Sequence, residues 1–284
     1  MDKNLPFEPT PSARLDPTSF SETLRQSRGD SPDAEPTTPA GKVEFPHATT
    51  ILALLYDHGV VMAGDRRATE GYSIAHRSIE KVFAADEHSG VAIAGAAGPA
   101  IEMVRLFQTE LEHYEKIAGI GLTLEGKANK LSQLLRANFA AALQGLAVVP
   151  LFAGWDEKTQ TGRIFKYDLT GGRYEESDYW ATGSGGRDAR ATVKKRYRPG
   201  ISKDDAVKIA LEALYDASEE DVGTGGPDVL REIYPNIAAI SVSGFAEVGE
   251  EKIAQLFQDL LAERTAAGRG PTKESVVGHQ ESES

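Results

Sequence analysis

The chain has 284 residues, a net charge of −12 and 40% hydrophobic residues, which suits one large domain or two small ones with a substantial core. That acidity excludes partners that demand clustered Lys and Arg, so neither nucleic acid nor a membrane surface is expected as a target. Cysteine is absent and the six histidines are scattered without an H-x-x-x-H pair, which rules out thiolate chemistry and argues against a metal site.

Residues 1–48 hold eight of the fourteen prolines, with many Ser, Thr and Asp and only short apolar clusters. Such a segment cannot bury enough surface to offset its ordering entropy and reads as a disordered leader. It begins M-D-K-N-L-P-F-E-P-T, without the apolar core of a signal peptide, and no run in the chain is long and apolar enough to span a bilayer. A cytoplasmic protein is the expectation.

The next segments, Thr49–Tyr56 and Val60–Gly64, read as strands joined by the turn Asp57-His58-Gly59. Arg77–Phe83 and Val91–Ala94 are two further strands. Ile101, Val104, Phe107, Leu111, Tyr114 and Ala118 recur at helical spacing after Pro99. Thr123 caps a second helix with the stripe Leu124, Ala128, Leu131, Leu135, Phe139 and Ala142, ending near Gly145. Strands return at Val149–Trp155, Gly162–Asp168 and Tyr179–Thr182, and a short helix follows Gly183-Ser184-Gly185-Gly186. Ser202 with Asp205 opens a long helix through Ala217. Ile237–Ser243 is a last strand, Glu250–Leu261 a last helix, and residues 265–284 a frayed polar tail. This order lacks the strict alternation of a parallel α/β sheet. It predicts an α+β fold, a four-layer αββα sandwich of two antiparallel sheets flanked by helices.

Thr49 carries the chemistry. If the leader is cut before it, its hydroxyl and a free α-amine sit on one carbon skeleton, a nucleophile with its own base. An α-amine has a pKa of roughly 7.7–8.0, so near neutral pH a useful fraction is unprotonated. Lys81 would place a positive charge beside the hydroxyl and depress the amine's pKa. A buried lysine needs a carboxylate, and Asp65 is the natural partner, with Thr49, Asp65 and Lys81 brought together by strands in a hairpin-like layout. Gly95, closing V-A-I-A-G, permits the close backbone approach that an oxyanion hole requires. Taken singly these signals are ordinary: a Thr-Thr pair suits a strand, charges after a glycine suit a strand end, and an isolated lysine suits a surface.

Jointly the motifs T-T-I, V-M-A-G-D-R-R-A-T, K-V-F, I-A-G-A-A-G, Q-G-L-A-V-V-P-L-F-A-G, A-T-G-S-G-G, A-L-Y-D-A and T-G-G-P-D resemble the β subunits of 20S proteasomes, the actinobacterial type above all. The resemblance runs from His47 to about Leu261. It implies the N-terminal-nucleophile hydrolase fold over residues 49–264, with 1–48 a propeptide removed by self-cleavage between Ala48 and Thr49. It implies Thr49 as nucleophile, Asp65 and Lys81 as its supporting pair with Arg67 beside them, and Ser184 as partner of the threonine's amine. Asp221 and Thr224 would be the acid and hydroxyl near that amine, and Gly95 the oxyanion-hole glycine. Ala68, Ile79, Phe83, Ile93 and Ala97 would line an apolar pocket for the side chain before the cut.

The resemblance also implies threonine endopeptidase activity on unfolded proteins without a cofactor. The implied partners are α subunits and further β copies in seven-membered rings (α7β7β7α7), a ring-shaped ATPase and tagged protein substrates. One departure stands out. The family nearly always has glycine where this chain has Ala48, and a Cβ strains the tight turn that self-cleavage needs. The alternative is therefore an unprocessed, inactive structural subunit of a mixed ring. The simpler bacterial threonine protease of two six-membered rings also begins T-T-I, but lacks a long leader and the T-G-G-P-D segment. A non-peptidase amidase would need a polar pocket that this lining does not offer.

Overall fold

The computed structural model describes residues 49–70 and 73–268, so the leader with Ala48 and residues 269–284 of the tail lie outside the described residues. The strands are β1 (Thr50–Tyr56), β2 (Gly59–Gly64), β3 (Ala68–Glu70), β4 (Ser73–His76), β5 (Val82–Asp86), β6 (Ser89–Gly95), β7 (Val148–Asp156), β8 (Thr161–Tyr167), β9 (Arg173–Glu176), β10 (Tyr179–Gly183), β11 (Asn236–Ser241) and β12 (Gly244–Glu247). The helices are α1 (Ala97–Ala118), α2 (Leu124–Ala137), the single turn α3 (Phe139–Ala142), α4 (Gly186–Arg196), α5 (Lys203–Glu220) and α6 (Glu250–Ala266). One antiparallel sheet has the order β10-β1-β2-β11-β12 and the other β5-β6-β7-β8-β9, with β3–β4 a small separate hairpin.

Side-chain alternation builds the layers. In the hairpin of β1 and β2, Ile51, Ala53, Val60 and Met62 enter the core shared with Val82, Ala92, Leu151 and Ile164 of the second sheet. Their neighbours Leu52, Leu54, Val61 and Ala63 face the other way, against Ala210, Leu214 and Ala217 of α5 and Phe257 of α6. The second sheet turns Val91, Ile93, Phe152 and Phe165 toward Val104 and Phe107 of α1 and Leu131 and Leu135 of α2. Phe107 meets Phe152 edge-on at 5.7 Å. Both faces of both sheets are thus covered, which is why T-I-L-A-L-L-Y and G-V-V-M-A-G read as nearly continuous apolar runs. The four-layer αββα expectation is met.

Helix ends follow their local chemistry. Thr123 accepts from the Gly126 amide at 3.1 Å, and Ser202 and Asp205 form a reciprocal pair in which Ser202 Oγ accepts from the Asp205 amide and donates to its carboxylate. Pro99 sits in the first turn of α1, where its missing N–H costs nothing.

Several boundaries differ from expectation. Of the strand expected over Arg77–Phe83 only Val82 and Phe83 are strand, at the start of β5; residues 77–81 belong to no strand, and β4 ends before them at His76. There the Lys81 amide donates to the Asn236 side chain at 2.9 Å instead of to a strand. Strand β4 was illegible because all four of its residues are exposed, which leaves no apolar alternation to read. Residues 242–243 turn the last expected strand back on itself as β11 and β12. The second helix breaks at Asn138, and α6 runs to Ala266, past the boundary set for the frayed tail.

Candidate active site

Thr49 immediately precedes β1, which pairs with β10 so that Thr50 lies opposite Gly183. Ser184, the next residue, donates its amide to the Thr49 carbonyl at 2.9 Å and accepts the Thr49 N–H on Oγ at 3.1 Å. A Cβ on Gly183 would lie 1.8 Å from the Thr49 carbonyl oxygen, and its φ is +100°, so only glycine allows this approach. Thr49 is 5% exposed.

Asp65 follows β2, the other half of the hairpin, and its amide donates to the Thr50 carbonyl at 3.1 Å. Its fully buried carboxylate is filled on both oxygens. Oδ1 accepts from the Thr50 amide at 2.8 Å and Lys81 Nζ at 2.6 Å, and Oδ2 from the amides of Arg67 and Gly225, both at 2.9 Å. Lys81 also donates to the Arg67 carbonyl at 2.7 Å. Four donors on one carboxylate offset its desolvation, as a buried charge requires. Burial nevertheless holds the Lys81 ammonium below its ordinary value of 10.5, with Asp65 opposing that shift and Arg67 adding to it.

The hairpin does not deliver Lys81. Thr49 and Asp65 share β1–β2, but Lys81 stands at the entrance to β5, in the second sheet, and reaches across the interlayer space. The close contact is possible because Gly64 has no side chain: a Cβ there would lie 3.0 Å from that of Lys81. The pair is thus a bridge between sheets.

Asp221, just past α5, makes the third side. Its Oδ2 accepts from Thr224 Oγ1 at 2.6 Å and from Ser184 Oγ, so one carboxylate oxygen orders both hydroxyls. Arg67 donates to the Val222 carbonyl at 2.9 Å, tying the 222–226 loop to the strand end beside Asp65.

Thr49, Lys81, Ala68, Ile79, Ile93, Ala97 and Gly95 line one cavity of about 30 Å³, together with Thr69, Glu80, Ala94 and Ala100. Phe83 is not brought there. Alternation along β5 sends Val82 into the core between the sheets and Phe83 to the opposite face, against α1. Gly95 has φ +106°, and a Cβ would sit 2.2 Å from the Ala147 carbonyl, so pairing with β7 already demands glycine there.

Three contributors were missed in the sequence: Thr50, Gly225 and Asn236. The T-T and T-G-G dipeptides drew attention to their neighbours, while nothing local marks Asn236 as the acceptor for the Lys81 amide. Among the described residues no group of three or more His, Asp or Glu could hold a metal ion, and no helix is long and apolar enough to cross a membrane.

Two antiparallel sheets between helices, with a threonine at the head of a central strand facing a lysine from the other sheet, define the class of N-terminal-nucleophile folds. A model of the proteasome subunit family matches residues 45–233. The chain is 58% identical over 217 residues to the proteasome subunit beta of Acidimicrobium ferrooxidans, covering 76% of this chain and 80% of that one. It is 56% identical over 220 residues to that of Jonesia denitrificans, covering 78% and 73%. With that of Acidothermus cellulolyticus the identity is 52% over 260 residues, covering 89% and 90%. The chain belongs to the proteasome subunit family, among its β subunits.

Proposed function

We propose that this chain is the catalytic β subunit of a 20S core particle, an N-terminal threonine peptidase that releases its own nucleophile by cleavage between Ala48 and Thr49. The observation that supports it best is the convergence of Lys81, Asp65 and Ser184, from three separate strand ends, around Thr49. Cleavage before Thr49 turns its nitrogen from an amide into an amine, already held by Ser184. That amine takes the Oγ proton as Oγ attacks the substrate carbonyl. The oxyanion forms against the backbone at Gly95, and the protonated amine then hands its proton to the departing peptide amine. Water completes the cycle: the amine removes its proton, hydroxide attacks the Thr49 ester, and the proton returns to Oγ as the acid leaves.

The positive Lys81 favours the alkoxide-like state of Oγ and keeps the neighbouring amine unprotonated. Ala68, Ile79, Ile93 and Ala97 give the pocket an apolar wall, beside Thr69, Glu80 and Lys81, and on this reading cleavage follows hydrophobic residues. Fluorogenic peptides ending in Tyr, Arg and Glu test this preference, with Tyr fastest; faster release after Arg or Glu refutes it. The α and β partners in seven-membered rings, the ATPase that feeds unfolded chains, and the cytoplasmic location belong to the same reading.

Ala48 motivates a second reading, an assembled but unprocessed subunit. Mass spectrometry of the assembled particle separates the two. A chain beginning at Thr49 that hydrolyses peptide, beside a Thr49→Ala variant inert by at least ~10³-fold, supports the peptidase. A chain still beginning near Met1 supports the silent subunit.

A further inference from the structure

We infer that Thr50 is a positioning residue for this peptidase chemistry, coupling the lysine side of the site to the serine side; the inference rests on the reading above. Thr50 is fully buried. Its amide donates to Asp65 Oδ1, the oxygen that also holds Lys81. Its hydroxyl accepts from the Gly185 amide at 3.1 Å and lies 2.6 Å from Thr224 Oγ1.

The direction of that last bond follows from its neighbours. Thr224 has one hydroxyl proton, and it is donated to Asp221 Oδ2 at 2.6 Å. Gly185 N–H can only donate. The Thr50 hydroxyl must therefore donate to Thr224, and every link has a fixed sense: Gly185 N–H to Thr50, Thr50 to Thr224, Thr224 to Asp221, with Ser184 also donating to Asp221. The Ser184 hydroxyl also lies 3.4 Å from the Thr49 carbonyl, but Asp221 Oδ2 is much nearer and takes its proton, so a lone pair of Ser184 Oγ faces the Thr49 nitrogen. Thr50 secures this twice, by orienting the Thr224–Asp221 acceptor and by anchoring the turn that carries Ser184.

Thr50 and Thr224 are both fully buried, so bulk water does not reach this pair of hydroxyls. Deleting the hydroxyl leaves a buried N–H without an acceptor, which is expensive in an enclosed site. Thr50 does not line the cavity with Thr49 and acts only through its neighbours.

The test compares Thr50→Val, isosteric but without the hydroxyl, with Thr50→Ser, which keeps it, in the full-length chain assembled into particles. Thr50→Val is expected to lower kcat by about tenfold to a hundredfold with KM within about twofold, and to displace the acidic limb of the pH–rate profile. Thr50→Ser is expected to remain within about threefold of the parent. Combining Thr50→Val with Thr224→Ala should cost less than the sum of the single losses, since both break one chain. Equal losses in Thr50→Val and Thr50→Ser, or an unchanged kcat and pH profile in Thr50→Val, overturn the inference. Failure of both Thr50→Val and Thr50→Ala to assemble, while Thr50→Ser assembles, assigns the residue to folding and also overturns it.

Hydrogen exchange over residues 183–188 reads the same link without turnover. Faster exchange in Thr50→Val supports the coupling, and unchanged exchange counts against it, even if the parent particle proves inactive and the peptidase reading falls.

Discussion

The two carboxylates near Thr49 sit under opposite conditions. Asp65 is fully buried, accepts four hydrogen bonds and pairs with a lysine that is 4% exposed. Asp221 is half-buried at a loop, and its partner Ser184 is exposed. In the first, desolvation makes the charge pair an essential part of the fold as well as of the site. In the second, solvent screens the charge, and the carboxylate is free to serve orientation alone. On the proposed peptidase function, stability and chemistry are therefore inseparable on the lysine side and separable on the serine side.

The strongest way to break this contrast is Asp65→Asn. It strands the Lys81 ammonium between the sheets and should destabilise the chain by about 3–5 kcal/mol while abolishing activity, read from denaturant midpoints and peptide hydrolysis. A loss of activity at unchanged stability would mean the pair is purely catalytic. Asp221→Asn should show the reverse: a roughly tenfold to hundredfold fall in kcat with a midpoint close to that of the parent. A large shift of the midpoint would erase the distinction.

The smallest effect is on pH dependence. Burial lowers the Lys81 pKa, so between its folded value and 10.5 the unfolded chain binds more protons at this position than the folded one. Stability contributed by Lys81 should accordingly rise with pH through that window and level off above 10.5. The difference in unfolding free energy between the parent and Lys81→Met, followed across alkaline pH, should carry this slope. A falling difference would mean Asp65 outweighs desolvation.

Much of the architecture was legible because both sheets are covered on both faces: the runs of β1, β2 and β7 are long, apolar and bounded by turns. Strands β4 and β9 were not: β4 is exposed throughout, and β9 is R-Y-E-E with no buried residue, so neither carries an apolar alternation. Among site residues, Lys81 was found by its spacing sixteen residues after Asp65 and its place before Val82-Phe83, yet its expected place in a hairpin was wrong, because the sheet a segment joins is set by contacts far along the chain. Phe83 failed for a related reason: the start of β5 decides its parity, and a one-residue change of phase turns a side chain to the other face.

The amino-acid order alone determined the periodicities, the helix caps and the residue types able to act as nucleophile, acid and cation, because these depend on neighbours a few positions away. Which of them meet was left to tertiary structure. Thr49, Asp65, Lys81, Ser184 and Asp221 span more than half the chain, and only the stacking of one sheet on the other, with glycine at 64 and 183 letting backbone and side chains close to contact distance, brings them to one place.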